Sequence, residues 1–136
     1  MATHYHVEVV GITVSKEQGK LARQWCKGLP VTIKLTDYRR LTGTFDRIVS
    51  VGMFEPVGVR HYCTFMPMIH CCLALDGLFL LHTIAGNRSV RFCDPWISML
   101  TYYLLACAGS FRSRRNQLWQ IVFSKNGVPG GYESVR

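Results

Sequence analysis

Residues 27–45 read KGLPVTIKLTDYRRLTGTF, and the fold expected of the chain turns on this stretch. Val31, Ile33 and Leu35 alternate with Thr32, Lys34 and Thr36, the period-two pattern of a half-buried strand. Asp37, Tyr38 and Arg39 then make a turn, and residues 39–54 return as a second strand. Leu41, Gly43 and Phe45 share a face of it, and Gly43 stands where a strand bends sharply or another backbone approaches. Upstream, Ser15 followed by Gln18 fits a capping box and opens a helix over residues 16–26. Leu21 and Trp25 lie on one face of that helix, with Lys16, Lys20, Arg23 and Lys27 left to solvent. Gly28 and Pro30 end it. Residues 4–14 alternate loosely and suit a strand at a sheet edge.

Helix, strand, turn and glycine in this order resemble the first motif of the Sm and Sm-like proteins, with Leu35, Asp37, Arg39 and Gly43 at matching positions. Residues 78–92, LFLLHTIAGNRSVRF, resemble the second motif through Ile84, Gly86, Asn87, Val90 and Phe92. The resemblance implies a small, strongly bent five-stranded barrel over residues 15–92, mainly β with helices. An N-terminal extension (1–14) would precede it and a helical, basic C-terminal extension (93–136) would follow. It also implies strand-edge pairing with like subunits. Tyr38, Val49, Met53 and Ala85 replace the residues with which that family turns tightly and brackets a stacked uridine, so base reading is not expected.

The chain has 136 residues, enough for one domain, and 16 basic against 8 acidic side chains. A net charge of +8 suits an acidic partner, either nucleic acid or an anionic membrane surface. Charge is concentrated at the two ends, leaving an apolar middle. No repeat or low-complexity tract stands out. The N-terminus lacks the basic start and apolar run of a secretory signal, so the six cysteines are expected as free thiols in a reducing compartment.

The chemistry-bearing groups are few. His61, Cys63, His70, Cys71 and Cys72 are soft ligands in composition, but their spacing matches no common zinc site and ordinary packed cysteines are expected. No turn presents a nucleophilic thiol and no orienting acid is identifiable, so no catalytic residue, metal or cofactor is expected. Residues 96–111 are apolar and followed by Arg112, Arg114 and Arg115, which suits a C-terminal helix packed on the barrel or, as the rival, a membrane anchor. The interrupted run before it is expected as strand, Asp76-Gly77 turn, strand, with a further hairpin turn at Gly86-Asn87.

The resulting expectation is a non-enzymatic Sm-like subunit of a ribonucleoprotein or RNA-processing assembly, in nucleus or cytoplasm. Lys34, Arg39, Arg40, Arg112, Arg114 and Arg115 would touch RNA phosphates, while Leu35, Asp37, Gly43, Gly86 and Asn87 serve the fold. The alternatives are an auxiliary subunit of an N-terminal acetyltransferase complex and a small protein anchored to a membrane by residues 96–111.

Overall fold

A computed structural model of the chain describes residues 2–86, 111–114, 116–128 and 130–132. They form two compact units: residues 1–44 with 63–72, and residues 45–62 with 73–136.

In the first unit a short helix α1 (Ala2–Tyr5) leads into strand β1 (Val9–Thr13), helix α2 (Lys16–Trp25) and strand β2 (Val31–Leu35). The two strands are parallel, in register from Val9 opposite Val31 to Thr13 opposite Leu35. A parallel pair cannot be joined by a tight turn, and α2 provides the crossover. Ser15 caps α2 by accepting from the Gln18 N–H at 3.3 Å. The Gln18 side chain, however, accepts from the Thr13 hydroxyl at 3.0 Å and does not reach back to Ser15.

The inward face of α2 is made of small residues. Gly19 is buried and Ala22 and Cys26 are half-buried, whereas Leu21 and Trp25, expected to pack, are exposed. Small residues let the helix backbone come close: a Cβ on Gly19 would lie 3.4 Å from Thr13 Cγ2. The interior of this unit is completed by Phe65 and Ile69 of α4 (Tyr62–Cys72). Phe65 meets Tyr38 edge to face, with ring centroids 5.4 Å apart.

The second unit holds strands β3 (Phe45–Val51), β4 (Leu73–Gly86) and β5 (Asn116–Ser124) in that spatial order. β3 and β4 run parallel, and α3 (Phe54–Val57), a 3-10 turn (Val59–His61) and α4 lie between them in sequence. β5 is antiparallel to β4, from Leu78 opposite Ser124 to Gly86 opposite Asn116. β4 is the middle strand, hydrogen-bonded along both edges; on the face opposite its buried residues, Leu78, Leu80 and His82 are half-buried and Ile84 is 37% exposed. Phe79, Leu81 and Thr83 are buried along it, and Phe79 stacks on Phe123 at 5.7 Å.

These pairings overturn the bent barrel. β2 does not fold back on β3 as a hairpin; it pairs with β1, and the turn between them is a 3-10 segment (Tyr38–Arg40) capped by Asp37. The single long strand expected over residues 39–54 is a loop followed by β3, and Gly43 (φ 119°) lies in that loop. No turn forms at Asp76-Gly77, because β4 runs through it; the extra residues there are taken up as a register shift opposite Phe45 and Arg47. The apolar stretch before β4 is helical despite Pro67, which lies inside α4 on its exposed side. Gly86 ends β4, and Asn87 lies outside the described residues, as do 96–110, where the packed helix or membrane anchor was expected. In the described part of the C-terminal extension, where a helix was expected, the long element is the strand β5.

Candidate active site

In open sheets with parallel strands, the carboxyl ends of those strands carry the ligand-binding crevice, because the loops leaving them diverge. In the second unit this end is formed by Ser50 and Val51 of β3, the α3 segment that follows, and residues 82–84 of β4.

The β3–β4 ladder ends where the Gly52 N–H donates to the His82 carbonyl at 3.2 Å. Beyond that point β3 has turned away, and the side chain of Glu55 takes its place. Oε1 of Glu55 accepts from the Ile84 backbone N–H at 2.5 Å and from the Thr83 hydroxyl at 2.8 Å. The carboxylate thus substitutes for the carbonyl that a longer β3 would have offered. Its second oxygen, Oε2, is buried without a hydrogen-bond partner, and so is Oγ of Ser50. Buried polar atoms are rarely left unpaired, and here two occur at the carboxyl end of one strand pair.

Burial by itself would raise the Glu55 carboxyl. The Ile84 N–H, Glu55's own backbone N–H, the Thr83 hydroxyl and the charge of His82 outweigh it and hold the group below the ordinary carboxylate range. Nearby, Tyr62 stacks on Phe54 with centroids 3.9 Å apart, and burial followed by the Glu55 charge raises its phenol. His82 lies opposite Gln120 of β5, with Gln120 Nε2 3.1 Å from His82 Nδ1. The arrangement is a fixed anionic acceptor with one oxygen available, flanked by an imidazole and a phenol. It is suited to receiving a proton or holding a small hydrogen-bonding group.

The phosphate-binding candidates do not meet at this place. Lys34, Arg39 and Arg40 are exposed in the first unit. Arg39 is spent on Asp37, through a 2.7 Å ion pair and a second contact of 2.9 Å from Nε. With the Arg39 backbone N–H also donating to it, Asp37 is held at about 2 by the Arg39 side-chain and backbone hydrogen bonds. Arg112 and Arg114 are exposed in the second unit, and Arg115 lies outside the described residues. Leu35 closes β2, with nearly half its surface exposed. Cys63 and Cys71 are exposed, while Cys72 is buried with Sγ 3.6 Å from the Leu41 carbonyl. Among the described residues, no three His, Cys, Asp or Glu side chains group closely enough to hold a metal ion.

Glu55, Thr83, Ser50 and His82 were not singled out by sequence reasoning. The available signal was a lone acid just after a strand in SVGMFEPVG, where an apolar segment otherwise continues.

The chain is similar to known proteins along its whole length. The family model described as mycolic acid cyclopropane synthetase matches residues 1–93. The cyclopropane-fatty-acyl-phospholipid synthase of Escherichia coli (strain K12) is 37% identical in an alignment of 199 residues that covers 100% of this chain and 52% of that protein. The alignment is longer than the chain, so stretches of that relative have no counterpart here. An S-adenosylmethionine-dependent methyltransferase, UmaA, of Mycobacterium tuberculosis (strain ATCC 25618 / H37Rv) is 35% identical over 85 residues, covering 60% of this chain and 30% of that one. Among solved structures, mycolic acid cyclopropane synthase CmaA1 complexed with SAH and CTAB superposes with a TM-score of 0.61 at 30% identity, covering 81% of this chain and 39% of that one.

These findings overturn the Sm resemblance and what hung on it, namely the non-enzymatic role, the RNA and Sm-like partners and the acetyltransferase-subunit alternative, and they leave the nuclear placement without support. The shared helix, strand and turn around residues 16–39 belong to a parallel β-α-β unit of a Rossmann-like methyltransferase fold. Among the described residues no helix is long and apolar enough to cross a membrane. The chain spans about half the length of its Escherichia coli relative, and with a family match over 93 residues it belongs to the mycolic acid cyclopropane synthetase family, whose members are enzymes.

Proposed function

We propose that this chain carries the proton-accepting part of an enzyme that builds a one-carbon bridge across a double bond in the acyl chain of a phospholipid. The observation that carries this reading is Glu55 Oε2, a buried carboxylate oxygen without a partner, fixed at the carboxyl end of two parallel strands in a chain with this family membership.

The chemistry requires such a group. A methyl delivered as an electrophile to a carbon–carbon double bond leaves a cation with one hydrogen too many. Closing the three-membered ring expels that hydrogen as a proton, which a base must take. An S-adenosyl donor would supply the methyl when bound. It also needs an acceptor for its ribose hydroxyls and donors for its own carboxylate. Asp37, the acid just beyond β2, has both oxygens engaged by Arg39, so among the described residues that acid is not free to take those hydroxyls. What they do supply is a held acceptor: Oε1 committed to Thr83 and Ile84, Oε2 open, His82 and Tyr62 beside it.

The net charge of +8, read from sequence as suited to RNA or an anionic membrane surface, here supports the second. A phospholipid bilayer presents both the anionic surface and the acyl chains. The protein on this reading works inside the cell at that surface.

The test is to incubate the purified chain with methyl-labelled S-adenosylmethionine and vesicles of monounsaturated phosphatidylglycerol, and to follow the acyl chains by mass spectrometry. Gain of one labelled CH2 in wild type, and its loss in Glu55→Gln, is expected. Absence of the gain in wild type, or full retention of it in Glu55→Gln, overturns the reading.

A further inference from the structure

α2 turns toward solvent a group of side chains that its packing does not use. Its inward side is Gly19, Ala22 and Cys26, while Leu21 is 46% and Trp25 77% exposed. These two stand four residues apart and so share one side of the helix. The turn that follows adds Leu29, 38% exposed, whose N–H donates to the Cys26 carbonyl at 3.0 Å. A lone exposed leucine is ordinary, but a tryptophan standing in water beside further large apolar side chains is the mark of a surface that meets a partner. Lys16 and Lys20 are also four apart, on the neighbouring side, with about 100° between Lys20 and Leu21. Lys27 follows directly after the helix, and all three lysines are exposed. Arg23 is tied to the sheet by donating to the Ile33 carbonyl at 3.1 Å. Among the described residues none of the three lysines makes an ion pair, so their charge is left for an external anion.

We propose that the outer side of α2 is a docking surface for an anionic phospholipid bilayer, with Leu21 and Trp25 entering the acyl boundary and Lys16, Lys20 and Lys27 meeting lipid phosphates. This rests on the bilayer being the place of work, as in the function proposed above, and adds the element that makes contact with it. A membrane interface accommodates every member of the set. An indole sits at the level of the headgroups, leucine goes below it, and lysine stems lie along the apolar zone with their ammonium groups at the phosphates. A nucleic acid would meet the lysines and could stack on Trp25, but has no place for Leu21 and Leu29.

The experiment is co-sedimentation of the full chain with fluid vesicles of dimyristoyl phosphatidylglycerol, which hold no double bond, and of dimyristoyl phosphatidylcholine. Wild type is compared with Lys20→Gln, Trp25→Gln and Lys34→Gln. Lys34 is the control for net charge: Thr13 faces Gly19 of α2 and lies opposite Leu35, so the alternate residue Lys34 faces away from the helix. Wild type should bind the anionic vesicles and not the zwitterionic ones. Lys20→Gln should weaken binding about fivefold, Trp25→Gln should weaken it as well, and Lys34→Gln should change it less than Lys20→Gln. Equal losses in Lys20→Gln and Lys34→Gln overturn the proposal. So does full binding by Trp25→Gln, which would mean plain electrostatic adsorption.

A second readout reports depth. Bromine on the acyl chains should quench wild-type tryptophan fluorescence more than that of Trp25→Phe, whose remaining indoles are Trp96 and Trp119; equal quenching overturns the proposal. Gel filtration without vesicles tests the other occupants. A wild-type dimer that Trp25→Gln converts to monomer assigns this side to a second copy, and co-elution with a short RNA that Trp25→Gln abolishes assigns it to nucleic acid; either overturns the proposal. None of these readouts needs turnover. A chain that binds as expected but forms no cyclopropane product refutes the functional reading alone, and an active chain whose binding ignores Lys20 and Trp25 refutes this docking surface alone.

Discussion

Replacing Glu55 by alanine removes the acceptor on which the end of β4 depends, and the structure sets the size of the effect. The Thr83 hydroxyl is buried and loses its partner outright, which costs about 1–3 kcal/mol. The Ile84 N–H lies beside a side chain that is 37% exposed, so water can reach it and its loss is nearer the net value of a hydrogen bond, about 1 kcal/mol. Together these give about 2–4 kcal/mol of destabilisation. Glu55→Gln keeps an oxygen at the same place and restores both bonds as neutral ones, so its cost should be lower by about 1–2 kcal/mol. Equilibrium urea unfolding reads both, as a lower midpoint with an unchanged slope. The pH dependence adds a sign. The folded carboxyl lies below the ordinary range, so the stability it contributes is present above that range and is lost as pH falls through the folded value. Wild type should show a larger acid-side loss than Glu55→Gln, which keeps the contribution of Asp37, also held below its ordinary value. Alanine and glutamine variants of equal stability, or an alanine variant within about 0.5 kcal/mol of wild type, would refute the account of Glu55 as a surrogate ladder acceptor.

A Cβ on Gly77 would lie 2.7 Å from Leu73 Cδ1 and 3.0 Å from the Ala74 backbone nitrogen; Gly77→Ala should therefore destabilise by about 1–3 kcal/mol in thermal or urea unfolding. Ser15→Ala removes the acceptor for the Gln18 N–H and should cost about 1 kcal/mol, with helix loss by circular dichroism confined to α2. Asp37 should titrate at about 2 by NMR, because Arg39 holds it there; Arg39→Gln should return it toward the ordinary carboxylate range, and an unmoved midpoint would contradict the ion pair. With Gln120 Nε2 donating to His82 Nδ1, the neutral imidazole carries its proton on Nε2. Gln120→Glu should move it to Nδ1, as read by 15N ring shifts.

What the sequence made legible was local. The cap at Ser15, the helix after it and the strand 31–35 follow from side-chain chemistry and period, which are properties of consecutive residues. Strand pairing is not. The alternation of Val31, Ile33 and Leu35 says that a strand is half covered, and is equally compatible with an antiparallel return or with a partner on the far side of a helix. A short polar turn at Asp37 suggested the return; the capped 3-10 segment that forms there satisfies the same residues without reversing into a hairpin. One non-local signal was present and misread: LFLLHTI has too few polar positions for a strand with one fully wet face, as a barrel hairpin would have, and suits the middle strand of a sheet, whose second face is half-buried at Leu78, Leu80 and His82. Breaking it at Asp76-Gly77 hid that.

Glu55 was harder to see because its role depends on where a neighbouring strand ends. As a residue type, an acid after an apolar strand is ordinary. It becomes unusual because β3 ends at Val51, with the Gly52–His82 bond closing the ladder, while β4 continues, leaving an N–H and a buried hydroxyl that need an acceptor from elsewhere. A carboxylate supplying one oxygen to that need keeps a second in a place the backbone could never have put one, since a carbonyl of a longer β3 would have had a single oxygen wholly used by the ladder. Ending the strand early and completing it with a side chain thus converts a structural requirement into a surplus acceptor, held by the sheet that required it.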